Sequence, residues 1–96
     1  MRNLSRLILK MDEALTDITL VFDGGVFSIY RDDKKSKDYS EKEIKSILSS
    51  MKVTALDLPS SIKQDIDKII SQAKSSTGKQ IDLSAESGEV DKLRLS

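Results

Sequence analysis

Leu4, Leu7, Ile8, Met11, Ala14 and Leu15 recur at spacings of three and four along the first part of the chain. That period makes one apolar stripe on an α-helix, so a first helix is predicted over residues 3 to 16, capped by Asn3. Arg2, Arg6 and Lys10 fall on its remaining surface, and Asp12, Glu13 and Asp17 follow closely. The acids argue against a helix that lies on a membrane.

From Ile18 the period drops to two. Ile18 to Phe22 and Val26 to Tyr30 are β-branched and aromatic runs, and Asp23-Gly24-Gly25 between them tolerates positive φ. This combination predicts a β-hairpin. Whether the two-residue loop is Asp23-Gly24 or Gly24-Gly25, the pairing shifts by an even step, so Ile18, Leu20, Phe22, Phe27 and Ile29 share one face. Val21, Val26 and Tyr30 fall on the opposite face.

Arg31 to Asp38 (RDDKKSKD) reads as a mixed-charge loop, and Ser40-Glu41-Lys42-Glu43 matches a capping box. A second helix follows with the stripe Ile44, Ile47, Leu48 and Met51. Val53 to Leu58 is extended in character. Pro59-Ser60-Ser61 opens a third helix with the stripe Ile62, Ile66, Ile69, Ile70 and Ala73, and Ser61 with Gln64 forms a second box. Ser75-Ser76-Thr77-Gly78 stops that helix. Ile81, Leu83 and Ala85 alternate as a strand, Ser87-Gly88 turns the chain, and Leu93 and Leu95 alternate in a last strand.

The predicted order is α-β-β-α-β-α-β-β in one α+β domain spanning residues 1–96. Ile44, Ile47, Leu48 and Ser49 echo Ile66, Ile69, Ile70 and Ser71, and each group leads into a similar strand, Leu56-Asp57-Leu58 or Ile81-Asp82-Leu83. Two successive helix-strand units suggest right-handed crossovers. The expected architecture is therefore a mixed sheet containing the hairpin, with the strands near Val53 and Ile81 parallel and the helices packed on one face. From the second strand onward the order β-α-β-α-β-β resembles small RNA- and DNA-binding folds of the initiation-factor-3 C-terminal type, which implies nucleic acid as a partner class.

Composition narrows the chemistry. The chain has no His, Cys or Trp, and its 16 basic and 16 acidic residues leave zero formal charge. The usual carriers of acid-base, thiol and metal chemistry are thus missing. Ile, Leu, Val and Phe exceed a quarter of the residues, above the roughly 20% below which charged chains stay disordered. No apolar run approaches the length of a signal peptide or a membrane span, and the lack of cysteine fits a reducing compartment. The chain reads as soluble and cytoplasmic.

Motifs with chemical potential fail on context. Ser-x-x-Lys occurs as Ser49/Lys52, Ser60/Lys63, Ser71/Lys74 and Ser76/Lys79, but a catalytic lysine needs burial that these surface-patterned positions do not offer. Ser75 to Lys79 resembles the end of a phosphate loop, yet it follows a helix and lacks the first glycine. Asp32-Asp33, Asp65 with Asp67, and Glu86 with Glu89 and Asp91 lack the spacing of a calcium loop. No catalytic residue, metal ligand, cofactor or small-molecule substrate is expected.

The functional expectation is a small non-enzymatic interaction or regulatory protein that binds another protein or its own copy. The face carrying Val21, Val26 and Tyr30 is the expected partner-binding patch, because helices on one side of a small sheet leave the other side thinly covered. The alternative is an RNA- or DNA-binding module using Lys34, Lys35, Lys37, Lys42 and Lys45. These lysines are interleaved with Asp32, Asp33, Asp38, Glu41 and Glu43, which weakens the phosphate-seeking field.

Overall fold

The hairpin forms where the period-two pattern predicts it. The structure, a computed structural model, describes residues 15–75 and 80–95. Strand β1 (Leu15–Asp23) pairs antiparallel with β2 (Val26–Arg31), and Asp23 opposite Val26 makes Gly24-Gly25 the loop. Both glycines have positive φ, +61° and +84°, the primed turn whose twist matches the flanking strands. Leu20 faces Ile29 and Phe22 faces Phe27 across the pair, so the predicted core face holds.

Five strands make one sheet in the order β3-β2-β1-β5-β4, where β3 is Lys34–Lys35, β4 is Thr54–Ala55 and β5 is Gln80–Glu86. Every pairing between these strands is antiparallel. The expected mixed sheet, with parallel strands near Val53 and Ile81, is therefore corrected: Ala55 pairs antiparallel with Leu83. The extended run after Val53 shortens to two strand residues. Its outer N–H, on Ala55, donates to the Lys63 carbonyl at 2.7 Å, so the connection folds back on β4 at once. The second helix-strand unit is therefore no parallel crossover, since α2 (Ile66–Ser75) joins β4 to an antiparallel neighbour, whereas β3 and β4, at opposite edges of the sheet, run in the same direction on either side of α1 (Glu41–Met51).

Two helices of ordinary length pack on the core face: α1 (Glu41–Met51) and α2 (Ile66–Ser75). The capping box at α1 is present in full. Ser40 Oγ accepts from Glu43 N–H at 3.2 Å, and Glu43 Oε1 accepts from Ser40 N–H at 3.1 Å. The third helix starts later than the stripe from Ile62 predicts. Residues 60–64 form turns, with the Pro59 carbonyl accepting from both Ile62 and Lys63 N–H. Asp65, not Ser61 with Gln64, serves the helix start, accepting from Lys68 N–H at 3.3 Å. The Lys63 carbonyl is taken by the Ala55 N–H, and the Asp65 N–H bonds the Ile62 carbonyl three residues back, so the tight turn runs on and the regular helix begins only at Ile66.

Two end segments also differ from expectation. Leu15 and Thr16 belong to β1, opposite Glu86 and Ala85, because pairing with a neighbouring strand outweighs a local helical period. The rest of the predicted first helix lies outside the described residues, as do Ser76, Thr77, Gly78 and Lys79. Ser87-Gly88 opens a single helical turn, α3 (Ser87–Val90), rather than a bare turn. After it Leu95 makes one antiparallel bridge with Ser36 in place of a full strand.

The core lies between the sheet and the helices. Ile18, Leu20, Phe27, Ile29, Ala55, Ile81, Leu83 and Ala85 come from the strands, and Ile44, Leu48, Met51, Ile69, Ile70, Ala73 and Val90 from the helices. This one-sided burial follows from the period of two in the strands and the stripes on the helices. No helix among the described residues is long and apolar enough to cross a membrane.

Candidate interaction site

The segment after β3 runs back along β2 with one irregularity. Ser36 pairs with Ile29, and Tyr39 exchanges backbone hydrogen bonds with Phe27 at 2.8 and 2.9 Å. Lys37 and Asp38 thus stand opposite the single residue Ser28, a bulge that twists the edge. Tyr39 enters the core at 7% exposure, and burial pushes its phenol pKa up. The Lys37 ammonium lies 5.4 Å from the centre of its ring, a cation–π distance.

Helix α1 begins at Glu41, with only its cap Ser40 between it and Tyr39, so its first turns stand near Lys37. Opposite them runs the segment after α3. Its course is set by Val90, which is fully buried, by Leu93 N–H bonded to the Val90 carbonyl at 2.9 Å, and by the Leu95 bridge to Ser36. Arg31 and Asp91 add an ion pair at 2.6 Å. Between α1 and this segment lies an open groove of about 800 Å³. Half-buried Ile47 and Leu93 form its apolar floor, and exposed Lys37, Lys42, Lys92 and Arg94 its rim.

The electrostatics of the groove are lopsided in a chain of zero net charge. Four cations face one carboxylate, Glu43. The Ser40 backbone N–H, followed by the Ser40 hydroxyl, holds that carboxyl below the usual glutamate range, so it stays ionised. Lys92 is paired with Glu89 at 3.1 Å. Lys42 and Arg94 make no ion pair among the described residues. The N–H groups of Ser40 and Glu43 are consumed by the capping box, which satisfies two of the four end donors of α1.

The five lysines singled out from the sequence do not gather. Lys37 and Lys42 line the groove. Lys35 pairs with Asp38 at 3.1 Å, an interaction that raises its pKa first by hydrogen bonding and then by charge. Lys45 pairs with Asp67 at 2.5 Å, which raises its pKa in the same way. Lys34 sits apart in a smaller concavity with Arg31 and Asp32. Lys92 and Arg94 complete the cluster from far along the chain, and no local signal connects them to Lys37 and Lys42.

Val21, Val26 and Tyr30 do come together, on the face of the sheet away from α1 and α2. All three are half-buried around a concavity of about 330 Å³ that includes Ser28, Lys35 and Asp38. The same face is largely polar. Asp17, Asp32, Asp33 and Asp82 border a neighbouring concavity of about 420 Å³ with Tyr30 and Leu56. The sheet edges are closed to strand addition at their best-placed points, by Leu95 against Ser36 on one side and by Lys63 against Ala55 on the other.

Two of the serine-lysine pairs, Ser49/Lys52 and Ser71/Lys74, have members engaged elsewhere. Ser49 Oγ donates to the Lys45 carbonyl, Lys52 pairs with Glu86, and Lys74 pairs with Glu41. Ser76 and Lys79 lie outside the described residues. Among the described residues no group of three or more acidic side chains is arranged to hold a metal ion.

Comparison of the chain with protein-family models, with curated proteins and with solved structures finds no match. The class defined by the fold is a small α+β arrangement with a five-stranded antiparallel sheet.

Proposed function

We propose that this chain is a small non-enzymatic interaction or regulatory protein that acts by binding another protein, with the groove between α1 and the segment after α3 as its docking site. The observation that carries this reading is an apolar floor of Ile47 and Leu93 inside a basic rim. Apolar surface that is concave and edged with charge is the pattern of a protein interface, with burial supplying affinity and the rim selecting the partner. The patch of Val21, Val26 and Tyr30 is a second contact area on the opposite side of the sheet, and its polar neighbours make it the weaker of the two.

Nucleic acid fits the same groove less well. Single-stranded binders need exposed rings on which bases stack, whereas Tyr39 is buried beneath Lys37 and Tyr30 belongs to the other face.

A photoreactive amino acid placed at exposed Ser46, in the groove wall, tests the reading inside cells of the native host. Expected is a crosslink to one discrete protein that is lost when Ile47 and Leu93 are both changed to Ser. A crosslink only to RNA or DNA, or none at all, overturns the proposal. An identical reagent at Ser71, on α2, controls for chance encounters.

A further inference from the structure

Resting on the docking reading above, we infer that the partner presents an acidic segment carrying at least one large apolar side chain. The argument is charge complementarity combined with the shape of the floor. Lys42 and Arg94 are exposed cations without an ion pair among the described residues, and they stand on opposite walls of the groove. Lys37 is held over Tyr39 and Lys92 by Glu89, so these two shape the rim more than they bind. A segment lying along the groove meets one uncommitted cation on each side and two apolar side chains, Ile47 and Leu93, beneath.

That arrangement selects against a uniform polyanion. Glu43 stays negative in the groove wall because its carboxylate is tied into the helix cap, and it repels a chain with charge at every step. An acidic peptide avoids this repulsion by placing carboxylates at Lys42 and Arg94 and an apolar residue over Ile47 and Leu93. Charge at the rim then accelerates encounter, and burial of the apolar residue slows release.

The test is a selection of random peptides displayed on phage against the full chain, with Lys42→Glu/Arg94→Glu as the counter-selected variant. Expected are peptides that combine two or more acids with a Leu, Ile, Phe or Trp. Their affinity should fall roughly tenfold or more on the double charge reversal and weaken as salt is raised. Replacing the apolar residue of the peptide by Ser should abolish binding. Enrichment of neutral or basic peptides, no enrichment, or binding that ignores the double reversal overturns the inference. Equal binding of polyglutamate or of a dT20 oligonucleotide overturns it too, since either marks a general polyanion site. Self-association of the chain that is abolished by the double reversal would replace the peptide with the acidic sheet face of a second copy. A discrete protein crosslinked at Ser46 together with failure of the peptide selection would leave the docking reading standing and remove only the acidic segment.

Discussion

Ser36 stands in for a backbone carbonyl opposite Ile29. Its side-chain Oγ accepts the Ile29 N–H at 2.9 Å while its own N–H donates to the Ile29 carbonyl at 2.8 Å. The same hydroxyl donates to the Lys37 carbonyl at 2.9 Å, and the residue is 4% exposed. One serine thereby satisfies the ladder where the bulge at Lys37 and Asp38 interrupts it, immediately beside the groove.

Ser36→Ala leaves the Ile29 N–H buried without a partner, and an unsatisfied buried donor costs about 1–3 kcal/mol. The expected result is a lower urea midpoint at unchanged slope. An unchanged midpoint would show that the edge repairs itself with a backbone carbonyl.

The two hairpin glycines differ in what they tolerate. No atom lies within 4 Å of a Cβ added at either position, so the cost of substitution is conformational. Gly24→Asn, at φ +61°, is expected to be nearly neutral because Asn adopts the left-handed region readily. Gly25→Val, at φ +84°, is expected to lose about 1–2 kcal/mol. Thermal melts of the two variants provide the comparison.

Loss of the α1 cap through Ser40→Ala should cost about 1 kcal/mol. The Glu43 half of the box adds a pH dependence of definite sign. Its folded pKa is lowered, so its contribution is fully present above the ordinary glutamate value and is lost as pH falls through the lowered folded value. The stability gap between wild type and Glu43→Gln is therefore expected to close on acidification. Urea titrations at neutral pH and across the acidic range check this; a gap independent of pH would separate Glu43 from the cap. Lys45 has the opposite sense. Its pKa is raised by Asp67, so its contribution holds below the ordinary lysine value and disappears as pH rises through the folded one.

Face alternation gives a sharper contrast. Ile29 is fully buried, whereas Val21 and Val26 are half-buried on the opposite face. Ile29→Lys is expected to prevent folding, since an unpaired charge cannot be accommodated in the core. Val21→Lys and Val26→Lys should each keep a cooperative transition with a loss of about 1 kcal/mol or less. Circular dichroism during denaturation distinguishes these outcomes. Unfolding by Val21→Lys would show that this face is covered and is not a contact surface.

Much of the local structure was legible in the chain. The two glycines and the alternation around them set the hairpin and its inner face, because side-chain period and turn conformation are properties of a few adjacent residues. The α1 box depends on four consecutive residues and was equally readable. Strand β5 announced itself through Ile81, Leu83 and Ala85. The repeat of similar helix-strand units misled the topology, since β4 pairs antiparallel with β5 through residues far apart in the chain, which no local period encodes. The helical period through Leu15 likewise gave way to pairing with Glu86.

The candidate groove was only half visible. Lys37 and Lys42 lie in a charged stretch whose five lysines are alike in sequence, and only the pairing of Lys35 with Asp38 and of Lys45 with Asp67 sets two of them apart. By itself the sequence determined the local periods, the caps, the glycine turn and which residues must be inside, all fixed by short-range sterics and hydrophobicity. Strand order, and the placing of Lys42 and Arg94 on facing walls of one groove, belong to tertiary packing. Those depend on burying Val90 and bridging Leu95 to Ser36, contacts between distant parts of the chain whose worth appears only once the core has closed.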